Sequence, residues 1–202
     1  YTTPVQAKLN LILGMNLDIE YIMPAHGIIW KDYIADIIET YKDIATQKAA
    51  NKAVIVYESV WKHTQQIAES LAEGFSDADM DVKVYQLSDT KSSIVMREIM
   101  DAKVVCIGSG TYNNVMAPSV AAFLEHIRPC KFKNKKGLAF AAYGWFNQVA
   151  KEIDTRMQQS GIESCHDVIN QCYTPSDDQL EDYFNVAKAV SYTHLRAHET
   201  GR

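Results

Sequence analysis

The 202-residue sequence has no apolar run of the roughly 18 residues that a membrane-spanning helix requires. It also has no excess of positive charge, since 25 Asp and Glu outweigh 20 Lys and Arg and give a net charge of −5. Nucleic-acid-binding surfaces are usually basic, so neither nucleic acid nor a membrane is an expected partner. The start of the chain lacks an initiator Met and a signal peptide, and we therefore expect it to begin inside a longer protein.

Cysteine is scarce: the four present are Cys106, Cys130, Cys165 and Cys172, and none belongs to a CxxC pair. A zinc ribbon and a rubredoxin-type iron site are thereby excluded, and the spacing gives no disulfide framework. We expect reduced thiols in a cytoplasmic protein, with three of the four buried or half-buried. The glycine-rich pattern of nucleoside triphosphatases is absent as well, so ATP or GTP hydrolysis is not expected.

The centre of the chain alternates apolar strand patterns with amphipathic helix patterns. Strands are predicted at 53–57, 82–87, 103–108, 137–142 and 163–170, and helices at 64–75, 94–100, 118–127, 148–160 and 177–190. This alternation predicts an α/β fold over 53–190, a five-stranded parallel sheet with helices on both faces. Ligands of such sheets bind beyond the carboxyl ends of the strands.

The basic run 131–136 is interpreted as a solvated loop, or alternatively as a docking patch for an acidic partner.

Both ends of the chain are interpreted separately from this domain. Residues 1–48 predict helices over 5–15 and 31–47 and a short strand at 21–23, with Tyr33 on the apolar face of the second helix. Because these elements cannot close a core, we interpret 1–48 as the end of a larger domain, followed by a polar linker at 49–52.

Residues 191–202 break the helical stripe, resemble a translated cloning adapter and are predicted to be a non-native tail. The tail contains His194 and His198, but two histidines without a third ligand rarely hold a metal.

The loop after the first strand, 59–64, suits a phosphate. It has hydroxyls at Ser59 and Thr64 and opens a helix, whose N-terminal N–H groups attract anions. The alternative is an ordinary βα loop with Thr64 as the N-cap.

Two further loops suit a planar ring. Residues 109–114, after the third strand, are rich in hydroxyls and amides that can bond the polar edge of a flavin, or they form a solvated loop. Residues 142–145, after the fourth strand, carry aromatics that can stack on a ring, unless Trp145 merely caps the core. Together the three loops fit FMN. The candidate cofactor-binding residues are Ser59, Val60, Trp61, Lys62, His63, Thr64, Ser109, Gly110, Thr111, Tyr112, Asn113, Asn114, Ala142, Tyr143, Gly144 and Trp145.

Four motifs carry a resemblance to a known family: PAHGIIW at 24–30, AVIVYESVWKHT at 53–64, IGSGTYNN at 107–114 and NKKGLAFAAYGW at 134–145. They make the chain from Tyr21 to about Val190 resemble the C-terminal part of flavodiiron proteins, the A-type flavoproteins. In that family a metallo-β-lactamase-like domain precedes a flavodoxin-like domain. The resemblance implies that 1–48 is a truncated remnant of the first domain and that 53–190 is the flavodoxin-like one.

The same resemblance implies functional roles. Residues 59–64 hold the FMN phosphate, 109–114 contact the ribityl chain and ring edge, and 142–145 flank the ring. His26 matches the last histidine ligand of a diiron centre whose other ligands this sequence lacks, so the fragment alone is not expected to reduce oxygen or nitric oxide. The intact parent is implied to be an oxygen or nitric oxide reductase of anaerobes, a head-to-tail homodimer that receives electrons from a flavin reductase or rubredoxin.

Two alternatives of other classes remain open. One is a stand-alone flavodoxin-like NAD(P)H:quinone oxidoreductase, against which the upstream PAHGIIW motif argues. The other is a non-redox receiver domain, which needs an Asp at the end of its third strand, where this chain has Cys106 to Ser109.

Overall fold

The computed structural model describes residues 2–199, and their side chains from 3 to 192. The chain divides into two compact units, one ending at Lys48 and the other beginning at Ala49.

The first unit consists of two helices and a short bridged loop. Helix α1 spans Thr2–Gly14 and helix α2 spans Ile34–Thr46, and the Gln6 Nε2 group donates a 2.7 Å hydrogen bond to the Ala45 carbonyl of α2. The strand predicted at 21–23 is reduced to a single bridge between Ile22 and Trp30.

The prediction that Tyr33 lies on the apolar face of the second helix was wrong. It precedes α2 with a left-handed backbone (φ 61°) and is 73% exposed, because the helix begins only at the next residue.

The second unit alternates strands and helices. Its strands are β1 Lys52–Glu58, β2 Asp81–Gln86, β3 Val104–Tyr112, β4 Val115–Met116, β5 Lys136–Tyr143, β6 Glu163–Ser164 and β7 Ile169–Cys172. Its helices are α3 His63–Asp77, α4 Ser92–Met100, α5 Pro118–Ile127, α6 Val149–Gln159 and α7 Asp177–Glu199, with a 3₁₀ turn at Arg128–Cys130.

The strands form a mainly parallel sheet in the order β2-β1-β3-β5, with β6 and β7 sharing the last position beside β5. This is the doubly wound order whose chain direction switches between β1 and β3, which is where such folds bind ligands. The predicted α/β fold class is confirmed.

The sheet has a packed core on each face. All seven residues of β1 are buried, as expected for a central strand of a parallel sheet. Alternate β1 residues point to opposite faces: Val54 and Val56 join the core beneath α4, α5 and α6, whereas Ile55 joins the core beneath α3 and α7.

The predicted loop at 109–114 is mostly strand. β3 continues to Tyr112, with Ser109 paired to Glu58 of β1 and Gly110 paired to Ala142 of β5. It then turns through Asn113 and Asn114, both with positive φ, into the antiparallel β4. The hydroxyl-rich sequence misled the prediction because the neighbouring strands supply the backbone partners.

The predicted fifth strand, 163–170, is interrupted. Gly137 of β5 pairs with Ser164 and Phe140 pairs with Ile169, so the outer strand has two residues more than β5 between these pairs. The surplus residues leave the ladder after Cys165, whose N–H still reaches the Gly137 carbonyl at 3.0 Å.

Two predicted boundaries also shift. Lys52, assigned to the linker, is the first residue of β1, and its ammonium group is held 2.7 Å from Glu98 and 2.8 Å from Asp101. Helix α7 continues past Val190 to Glu199, and Ser191 is buried. The non-native origin of 191–202 stays a prediction, and the side chains of His194 and His198 lie outside the described residues.

The basic run 131–136 is not a uniformly solvated loop. Phe132 and Lys135 are buried, and Lys136 pairs with Glu163.

Candidate functional site

A cleft of about 420 Å³ opens where β1, β3 and β5 end. This volume lies within the range of about 300–1,000 Å³ of small-molecule sites. Its lining residues come from all three predicted loops and one further position: Ser59, Val60, Trp61, His63, Thr64, Gly110, Thr111, Tyr112, Ala142, Tyr143, Gly144, Trp145 and Tyr173. The parallel register explains the convergence, because the carboxyl ends of the three strands lie side by side.

The first wall is the start of helix α3. Lys62 precedes the helix in a left-handed conformation (φ 66°), and within the described part of the chain no side chain caps the first turn. The N–H groups of a first helical turn have no partner inside the helix and attract anions. Thr64, the second residue of α3, is only 1% exposed, yet it lines the cleft. Its hydroxyl group therefore lies at the start of this helix. The wall suits a phosphate.

The second wall is the end of β3. A Cβ atom at Gly110 would lie 3.8 Å from the Thr64 hydroxyl oxygen, so Gly110 brings the β3 backbone close to the first wall. Ser109 is fully buried; its hydroxyl group donates to the Gly110 carbonyl at 2.7 Å and accepts from the Ala117 N–H at 2.8 Å. Its side chain therefore braces the hairpin rather than lining the cleft.

The third wall combines the end of β5 with a residue after β7. The Tyr173 ring packs on Gly144, where an added Cβ would lie 3.3 Å from the ring. The next residue, Thr174, holds its hydroxyl 3.1 Å from Nε2 of His63, which links this wall to the first.

Two tryptophans stand at the mouth of the cleft. Trp61 is 80% exposed and Trp145 is 82% exposed, although large aromatics are usually well buried. Trp145 therefore does not cap the core, which was the alternative interpretation. Exposed rings on two different walls of one cleft suit a flat aromatic ligand.

Twelve of the sixteen predicted residues line the cleft, and Lys62, Ser109, Asn113 and Asn114 do not. Asn113 and Asn114 form the two-residue turn between β3 and β4, as positive φ at both positions suits such a hairpin. Ligand contacts of these four residues stay a prediction. The sequence analysis did not predict that Tyr173 lines the cleft, because it predicted that the fifth strand ends at 170. The aromatic residue shortly after that strand was the feature of the sequence that could have indicated it.

Burial raises the pKa of one tyrosine in the cleft, Tyr112, and of another in the adjoining strand β1, Tyr57. For Tyr112, which lines the cleft, burial is the main cause and the nearby charge of Glu58 adds to it. For Tyr57, in β1, burial again dominates, followed by the charges of Glu69, Asp89 and Glu58. Both rings are neutral hydrogen-bonding groups at neutral pH.

His26 lies exposed on the loop between Ile22 and Trp30 in the first unit. Across the described residues no group of three or more His, Cys, Asp and Glu side chains is arranged to hold a metal ion. The role of His26 as a diiron ligand stays a prediction.

No helix in the described part of the chain has the length and apolar character needed to cross a membrane.

The sequence profile of the flavodoxin family matches residues 55–185. An anaerobic nitric oxide reductase flavorubredoxin of Pectobacterium carotovorum is 35% identical over 162 residues, which are 79% of this chain and 32% of that protein. A nitric oxide reductase of Moorella thermoacetica is 37% identical over 163 residues, 81% of this chain and 41% of that protein. The chain thus spans less than half the length of these relatives.

Solved structures of flavodiiron proteins and of a flavodoxin share the fold of this chain. The rubredoxin oxygen:oxidoreductase of the anaerobe Desulfovibrio gigas has a TM-score of 0.93 and 30% identity, over 100% of this chain and 50% of that one. A flavodiiron protein of Giardia intestinalis has a TM-score of 0.86 and 25% identity, over 95% of this chain and 48% of that one. An archaeal flavodoxin shares the fold over 70% of this chain and 97% of its own, with a TM-score of 0.64 and 24% identity.

Proposed function

Because the chain belongs to the flavodoxin family, we propose that its cleft binds FMN and that the chain is the electron-transfer part of a longer flavodiiron-type protein. The observation that carries the proposal is the combination, in one cleft, of an uncapped helix start with two exposed tryptophans. A phosphate monoester joined to a flat ring system matches both features. FMN, when bound, supplies the redox chemistry of the unit.

The residues of the first wall bind the phosphate. The N–H groups at the start of α3 donate to its oxygens, and the hydroxyls of Ser59 and Thr64 add two further donors. His63 is held by Thr174, so its ring stays beside the phosphate.

The other walls hold the ring. Trp61 and Trp145 stack on its faces and exclude water from them, and Tyr173 supports the Gly144 segment beneath. The end of β3, from Gly110 to Tyr112, borders the polar edge of the ring.

The longer protein supplies what this chain lacks. In our proposal, residues 1–48 are the remnant of a metallo-β-lactamase-like domain, and His26 is one ligand of its diiron site. Electrons come from a flavin reductase or rubredoxin, and the diiron site of the other subunit in a head-to-tail homodimer uses them to reduce oxygen or nitric oxide. The names of the relatives, among them flavorubredoxin and rubredoxin oxygen:oxidoreductase, support this assignment. The four free cysteines support a cytoplasmic location.

The experiment that tests the proposal is the visible absorption spectrum of the purified chain after incubation with FMN and desalting. We expect a retained flavin band, and we expect heating to release FMN itself. A protein that stays colourless after this treatment would contradict FMN binding. Bleaching of the band by NAD(P)H without a partner protein would instead favour the quinone oxidoreductase.

Paired variants locate the ligand, with dissociation constants measured by isothermal titration calorimetry. Thr64→Val removes the hydroxyl but keeps the shape, and we expect FMN affinity to fall about tenfold, whereas Thr64→Ser stays close to wild type. Trp145→Ala removes the stacking ring and should lower affinity by a similar factor, whereas Trp145→Phe retains most of it. Unchanged affinity in both Thr64→Val and Trp145→Ala would show that the ligand lies elsewhere.

A further inference from the structure

Glu58, the last residue of β1, is a buried carboxylate that none of the predicted roles uses. It is 8% exposed and accepts three hydrogen bonds. Its Oε1 accepts from the Ser59 N–H at 3.1 Å and from Nε2 of Gln86 at 3.0 Å, and its Oε2 accepts from the Ser119 hydroxyl at 3.0 Å. One side chain thus joins the end of β1 to the edge strand β2 and to the first turn of α5.

This arrangement fixes the first residue of the cleft loop from both sides. Nε2 of Gln86 also reaches the Ser59 carbonyl at 3.3 Å, so both peptide groups that flank Ser59 are bound within the same cluster. Ser59 begins the loop that leads to the uncapped start of α3. The loop therefore has a defined position before any ligand arrives.

The charge of this carboxylate is not neutralised locally. In the described part of the chain, no Lys, Arg or His side chain forms an ion pair with Glu58. A buried carboxylate without a counter-ion needs hydrogen bonds to replace its lost hydration, and three donors supply them here. Its field also extends to the cleft wall, where it contributes to the raised pKa of Tyr112.

We propose that Glu58 is a positioning residue of the flavin site, which holds the loop 59–64 through its hydrogen bonds and opposes, through its charge, the addition of electrons in the cleft. The proposal rests on FMN binding as proposed above. A fixed negative charge in a poorly solvated site disfavours the more electron-rich form of a ligand and therefore lowers its reduction potential.

The two effects are separable by substitution. Glu58→Gln removes the charge but keeps the hydrogen bonds, because its amide oxygen accepts from Ser59 and Gln86 and the Ser119 hydroxyl can turn to accept from its amide group. Glu58→Ala removes both. Ser119→Ala removes one hydrogen bond and leaves the charge, and Glu73→Gln, on the exposed face of α3, removes a charge that water screens.

The experiment measures three quantities for each variant: the FMN dissociation constant, the ratio of reduced to oxidised flavin at a fixed applied potential, and hydrogen exchange of the Ser59 amide in the FMN-free protein. For Glu58→Gln we expect affinity within about threefold of wild type and a reduced-to-oxidised ratio at least about threefold higher. For Glu58→Ala we expect affinity at least about tenfold weaker and faster Ser59 exchange. Ser119→Ala and Glu73→Gln should keep the wild-type ratio.

The proposal is overturned if Glu58→Gln leaves the ratio unchanged or if Glu58→Ala binds FMN as tightly as wild type. If Glu58→Ala does not fold, Gln86→Ala, which releases the Ser59 carbonyl, takes its place with the same expectation for affinity and exchange. A wild-type protein that binds no FMN would refute the proposed function instead, and the Ser59 exchange rates would still test the positioning role.

Discussion

Lys135 places an ammonium group where water barely reaches. The residue is 1% exposed, and its Nζ donates to the carbonyls of Met100 and Ala102, each at 2.9 Å. Burial lowers the pKa of this lysine from 10.5 to about 8, and the nearby charge of Asp101 offsets only part of that effect. The folded protein therefore releases the Lys135 proton more readily than the unfolded chain does.

This difference makes stability depend on pH in a defined window. Between about pH 8 and 10.5 the unfolded chain binds more protons at this position than the folded one, so the Lys135 contribution to the free energy of unfolding rises with pH. We expect the stability difference between wild type and Lys135→Met to shift in favour of wild type by about 2 kcal/mol from pH 7.5 to 9.5. Urea denaturation at the two pH values measures it.

Lys151→Met provides the control, because Lys151 lies in α6 of the same unit and is exposed. Its stability difference from wild type should stay constant over this interval. A constant difference for Lys135→Met as well would show that Lys135 keeps its ordinary pKa.

At the scale of elements, helices α3 and α7 approach each other closely at Gly74. A Cβ atom at this position would lie 2.2 Å from the Phe184 carbonyl oxygen and 2.8 Å from the Ala187 Cβ. Since the nearer atom belongs to the backbone, a side chain at Gly74 forces the helices apart. The glycine is needed for the close approach and not for its backbone conformation.

We therefore expect Gly74→Ala to destabilise the fold by about 1–3 kcal/mol, the usual cost of overpacking, despite the roughly 1 kcal/mol that alanine contributes to helix propensity. Chemical denaturation measures the change. Gly14→Ala in α1 is the matched substitution, because nothing lies within 4 Å of a Cβ there. Equal or higher stability of Gly74→Ala would contradict the tight packing of α3 on α7.

The elements that the sequence predicts well are those with strong local patterns. The run AVIVY and Pro118 at the start of α5 specify β1 and α5 without help from the rest of the chain. Two misses have a common physical cause. Ser109 to Tyr112 become strand, and 165–168 leave the strand, because pairing with neighbouring strands overrides local composition.

The same distinction applies to the site. The loops at 59–64 and 142–145 are predictable because they follow strongly patterned strands. Tyr173 is not, because it follows a strand whose irregular pairing only the sheet reveals. The role of Glu58 is not predictable for another reason. A Glu at the end of an apolar strand gives no indication in the sequence that Gln86 and Ser119 will both donate hydrogen bonds to it.

At the scale of the whole molecule, ligand binding and stability are linked. A ligand that binds only the folded state at 100 times its dissociation constant adds about 2.7 kcal/mol to the free energy of unfolding. For a chain of this size we expect FMN to raise the Tm by about 5–10 °C, measured by circular dichroism. Riboflavin, which lacks the phosphate, should give less than half of this shift at the same concentration.

Equal stabilisation by FMN and riboflavin would mean that the start of α3 does not hold a phosphate. A rise in Tm with inorganic phosphate alone would show that the protein has an anion site that does not need the flavin ring for binding.

The two tryptophans at the cleft mouth give the protein an optical property of its own. The chain contains three tryptophans, and Trp61 and Trp145 are the most exposed side chains of the site. Indole emission overlaps the near-ultraviolet absorption of oxidised flavins, so if FMN binds in this cleft as proposed, we expect excitation of these rings to pass to the flavin instead of leaving as light. We therefore expect the tryptophan emission of the unlabelled protein to fall as FMN binds and to return, with the long wavelength typical of water-exposed indole, as FMN leaves.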